Sequence, residues 1–182
     1  LYVEYFALDG PLDTRPVSQA LLLACNSKAT VEEQTREVLS RFLLRAYRRT
    51  PSPDEMARVI RMANSFVAAG EKWERAIQVT MQAVLCSPKF LFRVESDDFP
   101  TSAEIRPIDE FHLASRLSYF LWSTMPDDEL FELAEQKKLS DPKILYDQVE
   151  RMLSSTKASS FTENFAGQWL NLREIDATIP SH

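Results

Sequence analysis

Leu113-Ala114-Ser115-Arg116-Leu117-Ser118-Tyr119-Phe120-Leu121-Trp122, followed by Met125-Pro126-Asp127-Asp128-Glu129-Leu130, decides the fold. Apolar residues recur in the first run at three- and four-residue spacing, which predicts an amphipathic helix. The second run is the capped start of another: proline suits the beginning of a helix, and the acids lie where the positive end of the dipole favours them. Around this pair, Asp109 is positioned to cap a helix reaching about Trp122, and residues 126–137 form the next. Asp141-Pro142 opens a third helix to about Ser155, and residues 158–171 form a fourth whose stripe of Phe161, Phe165, Trp169 and Leu172 reads as a core face.

The same grammar runs upstream. Thr30 with Glu33 makes a capping-box pattern before a helix to about Arg49, and Ser52-Pro53-Asp54-Glu55 repeats the signal for a helix that stops at Gly70. A third helix extends from about Lys72 to the residues before Ser87-Pro88. Residues 89–93 continue as a short hydrophobic turn or helix, and residues 95–102 read as a polar connector. The opening Leu1-Tyr2-Val3-Glu4-Tyr5-Phe6-Ala7-Leu8 favours a strand and ends at the turn signal Asp9-Gly10-Pro11. A single strand needs partners for its ladder hydrogen bonds, so it is expected to belong to an upstream domain.

With 45% apolar and 26% charged residues the chain has the composition of an ordinary folded protein. Only three glycines oppose turn-rich β architectures, Gly-rich phosphate loops and dinucleotide fingerprints. Residues 1–95 carry 13 Lys and Arg against 11 Asp and Glu, while residues 96–182 carry 8 against 16; so acidic a second half makes nucleic acid an unsuitable partner. No apolar run approaches membrane-spanning length. The basic cluster Arg41, Arg45, Arg48 and Arg49 is read as an exposed helix face near a helix C-terminus, with an anion site as the alternative. Cys25 and Cys86 are too few for a disulfide framework and lack zinc spacing, and sequence leaves their pairing undecided.

Two groups of residues carry a resemblance. The first comprises Arg45-Ala46-Tyr47-Arg48-Arg49-Thr50-Pro51, Asp54-Glu55 and the stretch from Ala83 through Ser87-Pro88-Lys89-Phe90-Leu91-Phe92 to Glu95. The second comprises the two runs quoted at the outset, Lys138-Leu139-Ser140-Asp141-Pro142, and Asn164-Phe165-Ala166-Gly167-Gln168-Trp169-Leu170-Asn171-Leu172-Arg173. They resemble consecutive helical modules, the domains of unknown function 1595 and 1592, of a bacterial multidomain family abundant in planctomycetes. The resemblance implies an exported, extracytoplasmic protein associated with cytochrome-c-like modules. This chain has no Cys-x-x-Cys-His motif, so no cofactor is expected within it and any haem c belongs to other parts of the full-length protein. Similar proteins also imply the other domains of the same polypeptide as partners, with a protein or polysaccharide partner as a further option. His112 stands where the family more often has an acidic or small residue.

Few residues suggest chemistry. His112 and His182 are the only histidines, which excludes a histidine-rich metal site; His112 falls off its helix's apolar stripe and reads as a surface residue. The triplet Asp127, Asp128 and Glu129 points in divergent directions and is explained by helix-start electrostatics. Arg116, Asn164, Gln168 and Trp169 are the candidate site: polar groups on apolar helix faces are expected to form a buried network that fixes helix register, with a ligand site as the alternative. Trp73, Trp122 and Trp169, at helical spacing, are expected in cores rather than in a sugar-stacking platform.

These readings define an all-α chain of two small contacting helical bundles. Residues 1–29 are the strand and linker from an upstream domain, 30–95 the first bundle and 105–182 the second. The expected function is a non-catalytic scaffold or docking segment. The alternatives are part of a redox or polysaccharide-active enzyme whose site is completed by other domains, and a free-standing protein-interaction module.

Overall fold

The computed structural model describes residues 16–92 and 107–170, and every regular element among them is helical. The expected strand of residues 1–8, the connector of residues 95–102, Leu172 and His182 lie outside the described residues. The elements are α1 (Val17–Leu22), α2 (Val31–Tyr47), α3 (Pro53–Ala68), α4 (Trp73–Leu85), α5 (Pro88–Leu91), α6 (Glu110–Trp122), α7 (Asp128–Glu135) and α8 (Pro142–Leu153). A 3-10 turn, Thr156–Ala158, then leads into α9 (Ser159–Phe161), a π-helical turn (Thr162–Ala166) and α10 (Gly167–Trp169).

The starts are set by local chemistry. Thr30 and Ser52 each accept the N–H of a glutamate three residues on, and Glu33 and Glu55 return the bond to the capping residue's own N–H. Asp109, Asp127 and Asp141 cap α6, α7 and α8 through carboxylates that accept the free first-turn N–H groups. Each such cap contributes about 1 kcal/mol. The helix of residues 17–22, within what reads as linker, has no side-chain cap to announce it. With so few glycines, left-handed positions fall to Arg48, Ser123 and Lys137 as well as to Gly70. The non-glycine cases cost about 1–2 kcal/mol each and must be offset by bonds at those positions.

Two buried apolar clusters result. In one, Val38, Leu39 and Leu43 of α2 meet Val59, Ile60 and Ala63 of α3 and Ile77, Met81 and Val84 of α4. Thr35, buried in α2, donates to the Val31 carbonyl and accepts the Trp73 indole N–H at 2.9 Å, tying the start of α4 to α2. In the other, Ala114, Leu121 and Trp122 of α6 meet Leu130 and Ala134 of α7, Leu139, and Met152 of α8. Trp122 is 3% exposed and its indole N–H donates to the Met152 carbonyl at 2.8 Å. Burying each large side chain here stabilises by about 1.5–3 kcal/mol. An ion pair between Arg45 of α2 and Asp128 of α7, 2.6 Å long and solvent-exposed, joins one cluster to the other.

Candidate functional site: an exposed aromatic face

The helix after the 3-10 turn does not pack as its apolar stripe suggests. Phe161 is half-buried against the second cluster, but Phe165 is 44% and Trp169 74% exposed. Phe120 of α6, itself 53% exposed, meets Phe161 and Phe165 edge-on with centroids 5.1 and 5.5 Å away. Phe161 stacks on Phe165 at 5.1 Å, and Phe165 on Trp169 at 6.2 Å. An α-helix rotates a side chain by about 40° every four residues. The wider π turn between Phe161 and Gly167 rotates it back, which keeps three rings in one column. Such turns are rare and concentrate at functional positions.

The four candidate residues Arg116, Asn164, Gln168 and Trp169 are all exposed. A buried network is therefore not what they form: α9, the π turn and α10 cover one edge of α6, and no helix among the described residues packs on their outer side. Asn164 donates to the Ser123 hydroxyl at 3.0 Å, bracing the π turn against the left-handed end of α6. Arg116 lies one helical turn before Phe120, and Gln168 beside Trp169, so polar groups border the rings. Of the three tryptophans expected in cores, Trp122 is buried, Trp73 is half-buried against the first cluster, and Trp169 is on the surface. His112 is half-buried on α6.

The charged residues serve another purpose. Arg48, expected on a solvated face, is buried; its left-handed backbone turns the guanidinium toward the Lys89, Phe90 and Phe92 carbonyls, at 3.4, 2.9 and 3.3 Å. Arg49 grips Glu55 with two bonds of 2.9 and 2.8 Å, and Lys89 pairs with the same carboxylate. Glu55 is 5% exposed, and the Arg49 guanidinium, assisted by Lys89 and the Ser52 N–H, holds its carboxyl far below the usual range against the opposing effect of burial. Arg41 donates to the Leu22 and Ala24 carbonyls, at 3.3 and 2.6 Å. Arg41 and Arg48 thus fix α1 and α5 onto the helical hairpin, while Arg49 braces the loop of the hairpin against Glu55.

A similar node stands in the second half. Arg151 of α8 binds Asp127 at 2.7 and 3.3 Å and Gln148 at 2.8 Å, Gln148 donates to Glu129 at 2.7 Å, and Arg151 and Lys157 lie against the Trp122 ring. Burial raises the Asp127 carboxyl, but Arg151 and the Leu130 N–H outweigh it and hold it below its ordinary value. The acidic triplet accordingly does more than load a helix start: Asp127 meets α8, Asp128 meets Arg45, and Glu129 meets Gln148. No group of three or more His, Cys, Asp or Glu side chains placed to hold a metal ion occurs among the described residues, and Cys25 and Cys86 are free thiols.

What the aromatic face can do is bury apolar area against another surface and orient it through its polar border. Sequence periodicity found Phe161, Phe165 and Trp169 but assigned them to a core. The Glu55 brace was missed, although its members stand among the residues that carry the resemblance.

Comparison with known families finds two consecutive domains of unknown function. Residues 34–95 match the family described as protein of unknown function (DUF1595), and residues 108–182 match protein of unknown function (DUF1592). No curated protein and no solved structure matches the chain.

Proposed function

We propose that this chain is a non-catalytic helical scaffold that docks, through the face formed by Phe120, Phe161, Phe165 and Trp169, onto an apolar surface of another domain of the same polypeptide. The observation that carries the reading is the exposure of Trp169 at the end of a ring column whose base is anchored in the second apolar cluster. A rigid aromatic anchor loses little side-chain entropy on binding, and interface hot spots are enriched in tryptophan. The ionic nodes support the non-catalytic part, because Glu55 and Asp127, both held below their ordinary values by paired cations, brace helices together.

A protein surface suits this face better than a sugar. Phe161 and Phe165 stack on one another and so cover part of the open ring face that a sugar would need. The resemblance extends the proposal to an exported, haem-associated protein in which haem c sits outside this chain. Cell fractionation and haem staining of the native protein test that setting.

The docking itself is tested with a photo-reactive amino acid placed at 165 or 169 in the native full-length protein, with Tyr146 of α8, exposed elsewhere, as the control position. Cross-links from 165 and 169 to a defined peptide of another domain, not made from 146, are expected. Equal labelling from all three positions contradicts the proposal.

A further inference from the structure

The hairpin of α2 and α3 carries an open cleft of about 870 Å³ that the braces leave unfilled, within the usual size range of small-molecule sites. The short loop makes the two helices antiparallel, so residues near it on both helices share one end of the cleft. That end is apolar, lined by Leu44, Pro53 and Met56. Arg36, Arg61 and Asn64 line the opposite end, together with Glu32, so that two guanidiniums face one carboxylate there. The cleft is thus graded along its length from apolar to cationic.

Its charges are not balanced. Arg36 has only a loose pair with Glu32, at 3.8 Å and well exposed. Arg41, also lining the cleft, is bound to neutral carbonyls. Arg61 makes no ion pair or hydrogen bond among the described residues. The other carboxylate of the lining, Glu135 of α7, also borders a second recess beside Thr50, which places it at the apolar end, away from Arg36 and Arg61.

From this grading we infer that the α2–α3 cleft binds a free, single-tailed amphipathic carboxylate, with its tail over Leu44 and Met56 and its head between Arg36 and Arg61. A guanidinium binds a carboxylate with two parallel hydrogen bonds, and Asn64 adds an amide donor beside it. A tail against the apolar end gains by leaving water, while a tail-end anion would face Glu135. The polarity therefore fixes the ligand's direction as well as its charge. The site is independent of the aromatic face.

Isothermal titration of the intact chain with decanoate, below its micelle concentration, tests the inference. One decanoate per chain is expected, with Arg61→Glu weakening binding at least about tenfold at unchanged melting temperature, since Arg61 is exposed. Decyltrimethylammonium, with a similar tail and the opposite charge, should bind far more weakly. Absence of saturable decanoate binding, equal binding of the cation, or affinity insensitive to both Arg61→Glu and Arg36→Glu would overturn the site. Loss of binding in Trp169→Ala but not in Arg61→Glu would also overturn it, by moving the amphiphile to the aromatic face.

Discussion

The two halves of the described chain handle their surplus hydrophobicity differently. In the first, α2, α3 and α4 close over one another, Arg41 and Arg48 stitch the flanking α1 and α5 to them, and Glu55 of α3 is shared by Arg49 and by Lys89 of α5. In the second, α6, α7 and α8 close around Trp122 and Met152, but the last helical stretch adds a ring column that Phe161 anchors and Phe120 meets edge-on, with Trp169 left exposed. Among the described residues the first half leaves the α2–α3 cleft open, whereas the second leaves an aromatic column exposed for another surface to cover. The two halves therefore offer different things: the first an open cleft sized for a small molecule, the second a ring face suited to a protein surface.

The comparison is broken most sharply at Trp122. Trp122→Ala removes a buried ring and its bond to the Met152 carbonyl, and should cost about 3–5 kcal/mol in chemical denaturation. A loss under about 1 kcal/mol would mean that the second half is held together elsewhere. Next comes the Glu55 brace. Glu55→Gln leaves Arg49 and Lys89 facing a neutral amide and should cost about 3 kcal/mol, at the low end for a broken buried pair because both cations retain access to water.

Acid tests the same brace. The folded-state carboxyl of Glu55 is held below the unfolded value of 4.5, so its contribution is complete above that pH and is lost as pH falls below it. Asp127 acts in the same direction from 3.8. Stability measured from pH 7 down to pH 3 should fall on the acid side, and less steeply in Glu55→Gln; identical acid slopes would remove Glu55 from the account. Smaller still is the link between the halves. Asp128→Asn breaks an exposed ion pair and should cost about 0–1 kcal/mol. A larger loss would show that the Arg45 contact organises the two halves. Smallest is Trp169→Ala, expected within about 0.5 kcal/mol of the parent, as for a surface substitution.

What sequence made legible was whatever depends on a few adjacent residues. Thr30 with Glu33, Ser52 with Glu55, and Asp109 and Asp141 start helices because a capping side chain reaches only its own first turn; α7 begins later than the expected Pro126, with Asp127 as its cap. The helix Val17–Leu22 lacked such a signal and is short, so it read as linker. Arg48 was misjudged because its left-handed backbone, and the carbonyls of residues 89–92 that it binds, are set by how α5 returns to α2. The aromatic stripe was legible as a stripe, since periodicity reveals that a helix has an apolar side. What covers that side depends on neighbours distant in sequence, which is why Trp122 and Trp169 looked alike and are not.

The most direct measurement is hydroxyl-radical footprinting of the intact chain, read by mass spectrometry at each tryptophan. Trp169 should be modified much faster than Trp122, with Phe165 labelled and Trp73 intermediate. Protection of Trp169 equal to that of Trp122 in the monomeric chain would contradict the open aromatic face, and with it the docking function.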